Sequence, residues 1–408
     1  MKQRIRWIWI FFAGLIFLID PYVYLSLKRL LALETPVFPI VYWAIPFLLL
    51  LRLATLLAFH SYSQRKPAIQ KRYFNLFGGL ILFYIPKLFY MALSLMGLLM
   101  RTVTDLISMY PYRMAFMGYL GFVGGSILFI FILYGILYGR FHFKTQMLDF
   151  SHERIPAGFN GLRIVQISDL HIGSWVGHRK RLEQAIEKIN SQNPDLILFT
   201  GDLFNNFYEE IADFKDILRK LNASYGKYAV LGNHDYGDYF PWPSDSAYRD
   251  NFNRIKGVYH DLGFHLLCNE SQILRKNGHY IGIVGVENWG HPPFHQYGDL
   301  MKALSGIDGT GFNLLLSHDP SHWRSEVLQR KALTLTLSGH THGMQFGFDT
   351  PWLKWSPAQA KYPEWKGLYR EGHQALYVNP GLGYIGFPGR IGIRPEITVI
   401  TLISPATR

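Results

Sequence analysis

Cysteine is almost absent, Cys268 being the only one in 408 residues, so no disulfide can form within the chain, which agrees with a reducing compartment. Acidic residues are scarce at one end. The first 150 residues hold 15 Lys or Arg and only 4 Asp or Glu, against 26 and 25 in the remainder, so nearly all of the net charge of +12 lies in the first part. Those positive charges flank apolar segments and do not gather on one basic face, which removes nucleic acid as the expected partner despite a pI of about 9.5. The first apolar run has neither a small-residue cleavage site nor the paired arginines of a twin-arginine signal, so it reads as a retained anchor. No internal repeat and no low-complexity tract is visible.

Four stretches, about 7–27, 38–60, 74–100 and 115–139, are long and apolar enough to cross a hydrocarbon core as helices. The expected organisation is an α-helical transmembrane bundle of four spans over 1–145, a linker over 146–160 and an α/β domain over 161–408. If Lys2, Arg4 and Arg6 face the cytoplasm, so do Arg65, Lys66, Lys71, Arg72, Arg140 and Lys144, nine positive charges against Lys28, Arg29, Arg101 and Arg113 opposite. This bias places the second domain on the cytoplasmic side of a multi-pass inner or plasma membrane protein. Arg52 and Lys87 fall inside the second and third stretches. Arg52 reads as a snorkelling side chain, whereas Lys87, beside Pro86, either snorkels or marks a functional cavity.

Beyond residue 160 the pattern changes to apolar runs separated by amphipathic segments. Leu162 to Ile167, Leu196 to Phe199, Tyr228 to Leu231, Tyr280 to Val286, Phe312 to Leu316, Leu333 to Leu337, Ala375 to Val378 and Glu396 to Leu402 read as buried strands. Leu182, Ala185, Ile186 and Ile189 share one helical face between the first two, and Ile211, Phe214, Leu218 and Leu221 mark another helix before the third. Residues 236–260 and 343–374 interrupt the alternation with aromatics, Pro and Gly, and read either as substrate-facing loops or as lids packed on the core.

Five short motifs follow these strands: Asp169-Leu170-His171, Gly201-Asp202, Gly232-Asn233-His234-Asp235, Ser317-His318 and Gly339-His340-Thr341-His342. In layered α/β folds, residues beyond the carboxyl ends of strands meet at one rim. Asp and His hold first-row divalent ions, and one carboxylate can bridge two. We expect Asp169, His171 and His342 with Asp202 around one ion, and Asn233, His318 and His340 with Asp202 around the other. Two cations about 3.5–4 Å apart suit in-line attack on a phosphoryl group. His234, next to a ligand but assigned to neither ion, is the expected acid for the leaving oxygen, with Asp235 orienting its imidazole. Mixed nitrogen and oxygen donors suit Mn, Fe or Zn. The other histidines lack such spacing; Arg390 and Arg394 either clamp a phosphate or sit on the surface.

In this order the motifs resemble the calcineurin-like metallophosphoesterase family over about residues 160–403. The resemblance implies a sandwich of two β-sheets flanked by helices, the ligand roles above and a catalytic histidine at His234. Asn379-Pro380-Gly381-Leu382-Gly383 and Arg394-Pro395-Glu396-Ile397 are similar to the membrane-associated bacterial branch, whose members include enzymes that cleave the pyrophosphate of UDP-2,3-diacylglucosamine. Met344 departs from the glycine many relatives carry there, which puts the backbone beside the site in question. The expected partners are a lipid bilayer and a phosphorylated, lipid-linked substrate. The rivals are a phosphodiesterase of soluble nucleotides and a non-catalytic membrane sensor or scaffold that binds a nucleotide; the intact ligand set weighs against the latter.

Overall fold

The computed structural model describes residues 2–58, 67–106, 113–290, 295–307 and 310–405. It divides into two compact units, Met1–Gln64 with Arg72–Leu137, and Arg65–Lys71 with Tyr138–Arg408. The first holds helices α1 (Lys2–Leu30), α2 (Val37–Ala58), α3 (Pro67–Leu106, whose first turn belongs to the second unit) and α4 (Arg113–Leu137). Among the described residues, Val37–Leu56, Ile69–Thr102 and Phe116–Phe141 are long and apolar enough to cross a membrane. Most side chains in the first half of α1 lie outside the described residues, so the span expected at 7–27 is only partly covered.

Ile16, Ile19 and Val23 of α1 pack with Leu53 and Leu56 of α2 and with Leu76, Leu80 and Tyr84 of α3. Gly121 and Gly125 let α4 approach α3, since a Cβ on either would lie 3.2 Å from the Tyr90 carbonyl oxygen or 3.1 Å from that of Pro86. Lys87 does not snorkel. Its ammonium reaches the fully buried Asp20 carboxylate at 2.5 Å, which also accepts from Tyr84 Oη at 2.6 Å and Tyr42 Oη at 3.1 Å. Arg52 is exposed on α2.

The second unit contains two six-stranded mixed sheets. The first has the order β1 (Lys144–Ser151), β14 (Glu396–Ile403), β2 (Arg163–Ile167), β3 (Leu196–Phe199), β4 (Lys227–Ala229), β5 (Phe264–Leu266). In the second, β12 (Gly367–Glu371) is followed by β13 (Gln374–Val378), β9 (Leu335–Ser338), β8 (Asn313–Leu316), β7 (His279–Gly285) and β6 (Glu270–Lys276). A small hairpin joins β10 (Phe348–Asp349) to β11 (Lys354–Trp355). Strands β2 to β5 run parallel, as do β7, β8, β9 and β13.

In the central strands of each sheet both faces are buried, which explains their nearly continuous apolar runs. Alternate residues Ile164, Leu196 and Leu198 meet Ile283, Leu314 and Leu335 between the sheets. Val165, Ile197 and Phe199 point the other way, onto helices α5 (Arg179–Asn190), α6 (Lys215–Leu218) and α7 (Asp245–Asp261). Val284, Leu315 and Leu376 cover the outer face of the second sheet with Leu300 of α8 (Leu300–Leu304) and Trp323 of α9 (Ser321–Ser325).

Three expectations are corrected. Residues 146–160 are not a linker: β1 pairs with β14 from Lys144↔Glu396 to Ser151↔Ile403, and Phe150 is buried. Most of 236–260 is not a loop. Ser244 caps α7 by accepting from Ala247 N, and Asn251, Ile255, Val258 and Tyr259 form its buried face. The helix expected from Ile211 to Leu221 shortens to α6 between turns, because its apolar residues also fit successive turns.

Replacing Lys87 with Met leaves the Asp20 charge buried against two phenols, and we expect a loss of roughly 3 kcal/mol, read as a lower thermal midpoint in detergent. The Asp20→Asn/Lys87→Met double variant should regain most of it. Equal loss in both variants would show that the ion pair is not what the helices depend on.

Candidate metal centre

The parallel strands bring the motif residues to one rim: Asp169 and His171 follow β2, Asp202 follows β3, Asn233 and His234 follow the extended end of β4, His318 follows β8, and His340 and His342 follow β9. The side chains converge. His171 Nε2 lies 3.0 Å from His342 Nε2, which is 3.3 Å from Asp169 Oδ1. On the other side, His340 Nδ1 lies 2.8 Å from Asn233 Oδ1 and 3.2 Å from His318 Nε2. Asp202 Oδ2 stands between, 3.6 Å from His171 Nε2 and 3.2 Å from His318 Nε2. Asp169, His171 and His342 form one cluster able to hold a metal ion, and Asp169, Asp202 and His318 another.

The donor chemistry fits cations. Two imidazole nitrogens 3.0 Å apart can share at most one proton, whereas a divalent ion satisfies both lone pairs. Without such an ion the protein's own charges show the same need. Burial pushes the Asp169 carboxyl up to about 7, the His171 imidazole down to about 3 and His340 down to about 4. Burial also opposes charge on Asp202 and His318, yet each prevails through the other: His318 is held up at about 10, and Asp202 well below the usual carboxylate range.

The backbone is bent to make this possible. Asp169, His171, Asp202, His340 and His342 have φ of 50°, 48°, 60°, 71° and 49°, a left-handed conformation that costs an L-residue roughly 1–2 kcal/mol. Gly232 and Gly339 complete the close approach, because a Cβ at either would collide with Asp202 Oδ1 or with Ser168 Oγ and Asp169 Oδ2. Met344 also takes the left-handed region, at φ 45°, and its side chain turns outward. Met344 thus occupies a conformation that glycine adopts without steric cost.

Asp235 does not orient His234. Its carboxylate accepts from the backbone N–H groups of Asp202, Phe204 and Gly232 and from Tyr259 Oη, at 2.9–3.0 Å. It secures the Asp202 turn instead. The carbonyl of Asn205, 2.9 Å from Nδ1, takes the place expected for Asp235. A carbonyl can only accept, so Nδ1 carries the proton. Burial lowers the pKa of His234, and the Asp202 charge partly restores it.

Several supporting residues escaped the motif reading. The Glu210 carboxylate accepts from the N–H groups of Asn205, Asn206 and Phe207 at 2.7, 3.0 and 3.0 Å, fixing the turn that holds His234. The signal was a glutamate three residues after Phe207, as in a capping box. Tyr239 accepts from Asn233 Nδ2 at 2.6 Å and lies with its ring centroid 4.4 Å from that of His234. Tyr362 Oη is 2.7 Å from His340 Nε2. Arg390 is neither a surface residue nor exposed to a ligand: it is buried, bonds the Pro380 and Gly383 carbonyls, and lies 3.3 Å from His342 Nδ1. Arg394 bonds the His142 carbonyl at 3.1 Å.

A family profile described as calcineurin-like phosphoesterase matches residues 162–344, and one described as the transmembrane domain of probable calcineurin-like phosphoesterases matches 4–140. The chain is 31% identical over 280 residues to a transmembrane protein with metallophosphoesterase domain of Danio rerio, covering 67% of this chain and 60% of that protein. It is 36% identical over 258 residues to an uncharacterised metallophosphoesterase of Bacillus subtilis, covering 61% of this chain and 82% of the other. With a UDP-2,3-diacylglucosamine pyrophosphatase of Chlamydia muridarum it shares 29% identity over 286 residues, covering 59% and 83%.

We expect Asp202→Ala to abolish metal binding and hydrolysis together. His234→Ala should retain metal while lowering turnover by about 100-fold or more, most severely with a poor leaving group. Glu210→Ala, which frees the 205–207 turn, should do the same more mildly, up to about 100-fold. Metal analysis beside kinetics on two leaving groups separates these effects, and loss of metal from the His234 variant would contradict the role given to it.

Proposed function

The chain belongs to the calcineurin-like metallophosphoesterases, with an N-terminal transmembrane region, and we propose that it hydrolyses a phosphoester or pyrophosphate bond of a lipid-linked or otherwise amphipathic substrate. It is a metal-dependent hydrolase of phosphoric esters. The finer reading assigns two divalent ions, one to Asp169, His171 and His342 and one to Asn233, His318 and His340, with Asp202 shared. Ions held there supply Lewis acidity toward a phosphoryl group. The chain's own residues do the rest. Nδ1–H of His234 donates to the Asn205 carbonyl, so Nε2 is the position that takes up a second proton, and the resulting imidazolium gives that proton to the leaving oxygen and returns to the neutral Nδ1–H form. Tyr239 Oη accepts from Asn233 and Tyr362 Oη lies in hydrogen-bond reach of His340, which holds those two side chains in place.

The observation that carries the amphipathic reading is the β10–β11 hairpin. It continues the chain only six residues beyond His342, and Phe348, Trp352, Leu353 and Trp355 are 49%, 92%, 50% and 42% exposed. Monomeric proteins rarely leave such a cluster in water. The other aromatic segment differs, since Phe240 and Trp242 pack on Phe207 with centroids 4.9 and 5.7 Å apart. Membrane spans and the Chlamydia relative support a lipid-borne phosphate such as UDP-2,3-diacylglucosamine.

For one headgroup carrying long, short or no acyl chains, catalytic efficiency should rise with chain length, each buried methylene contributing roughly 0.8 kcal/mol. Trp352→Ala or Trp355→Ala should flatten the rise. A flat series in the unaltered protein would leave a membrane-tethered phosphoesterase of soluble substrates.

We further assign four spans within residues 1–145, a catalytic domain from 161 onward with β1 added to its sheet, and a cytoplasmic catalytic domain at the cell membrane. The nine-to-four positive bias among the flanking charges supports this orientation. In sealed inner-membrane vesicles of known orientation, protease should cut within 150–408 only from the cytoplasmic side; cutting only from the other side overturns it.

A further inference from the structure

Helix α3 begins inside the catalytic unit: Arg65–Lys71 belong to that unit, and the rest of the helix does not. The helix has 40 residues, about twice the length that a span requires, so its first turn can project past the hydrocarbon core. Two half-buried side chains of that turn engage the catalytic unit. Gln70 Oε1 accepts from Asn205 Nδ2 at 2.9 Å, and Lys71 Nζ donates to the Val176 carbonyl at 2.5 Å. Val176 closes the short turn Ile172–Trp175 that follows His171. Ser174 of the same turn accepts from the Asn205 amide as well, with Oγ 3.3 Å from Nδ2. Lys71, one of the charges that orient the chain across a membrane, thus also clamps a turn beside the metal centre.

Asn205 is the residue whose carbonyl accepts Nδ1–H of His234 at 2.9 Å. It is fully buried, its N–H donates to Glu210 Oε2 at 2.7 Å, and its side-chain amide donates to Gln70 and Ser174. The surroundings leave no slack, since a Cβ on Gly173 would lie 2.6 Å from Glu210 Oε2 and 2.8 Å from Asn205 Nδ2. A displaced Asn205 side chain therefore carries its backbone with it and redirects the carbonyl. From this chain of contacts we infer that Gln70 is a positioning residue for the reaction: it acts through Asn205 to aim the His234 imidazole at the leaving oxygen. The inference rests on the proton-donor role proposed for His234. Gln70 lies 135 residues before Asn205, in the part of the chain that the apolar pattern assigns to the membrane, and reaches the catalytic rim only because the helix starts there.

The test uses the full-length protein in non-ionic detergent, loaded with manganese, and compares kcat and KM on bis-p-nitrophenyl phosphate and diphenyl phosphate, whose departing oxygens differ in basicity. Gln70→Leu, which removes the acceptor, should keep its metal and its KM, and lower kcat about tenfold on diphenyl phosphate but little on the nitrophenyl ester. Gln70→Glu, which keeps an accepting oxygen, should restore most of that loss. Added to His234→Ala, the Leu substitution should cost nothing further, because the group it aims is gone. If Gln70→Leu does not fold, Gln70→Asn, whose shorter side chain withdraws the oxygen, serves in its place. An equal loss on both esters overturns the proposal, as does a Glu variant as impaired as the Leu variant or a full further loss on top of His234→Ala. Loss of metal overturns it too, since that would place the effect at His171, whose imidazole neighbours the Asn205 side chain. A His234→Ala variant that loses equally on both esters refutes the proton-donor role itself, whereas one that shows the ester preference while Gln70→Leu lacks it refutes only the assignment to Gln70.

Discussion

Asp202 Oδ2 stands within 3.6 Å of His171 Nε2 and 3.2 Å of His318 Nε2 in a rim sealed from water, and the rest of the catalytic unit is arranged around keeping it there. A buried carboxylate costs several kcal/mol unless it is paired and fully hydrogen-bonded. Asp202 Oδ1 accepts the His234 N–H at 2.9 Å, while the buried Asp235 carboxylate ties the Asp202 N–H to the Gly232 N–H. The left-handed residues and the collision-limited glycines are consequences of the same crowding. They bring five strand ends close enough to surround the Asp202 carboxylate, and they are tolerated because the two-sided burial of the central strands leaves those strands nowhere else to go.

The sheets were readable because strands covered on both faces are continuous apolar runs, and the candidate metal-binding residues because they are Asp, Asn and His immediately after those runs. What the sequence concealed is mostly the action of backbone groups. Asp235 adjoins His234 and looks like its partner, yet the sharp turn at 232–235 points the two side chains apart, and a carbonyl from Asn205 orients the imidazole. No residue type announces a carbonyl. The β1 strand was hidden because its exposed edge carries Lys144, Gln146 and Asp149, polar residues that read as a linker until pairing with β14 is known. The partner of Lys87 was hidden by separation: Asp20 lies 67 residues away, inside a different apolar run.

The two aromatic segments illustrate why composition alone left lid and substrate contact undecided. Both are rich in large rings and proline. In the first, Phe240 and Trp242 find Phe207, and Tyr236 stacks on Tyr297 with centroids 4.1 Å apart, so the rings are consumed by internal packing. In the second, the two-residue strands of the hairpin are too short to bury their own side chains. The difference is one of available neighbours, which only the fold supplies.

The position of β14 has a further meaning for how the protein is made. It lies between β1 and β2, pairing in parallel with one and antiparallel with the other, although some two hundred residues separate it from both in sequence. During synthesis the helices and β1 to β4 emerge first, with the two edges destined for β14 unpaired. The first sheet cannot close until residues 396–403 have left the ribosome. For all that interval the nascent chain exposes two open strand edges, which template unwanted pairing.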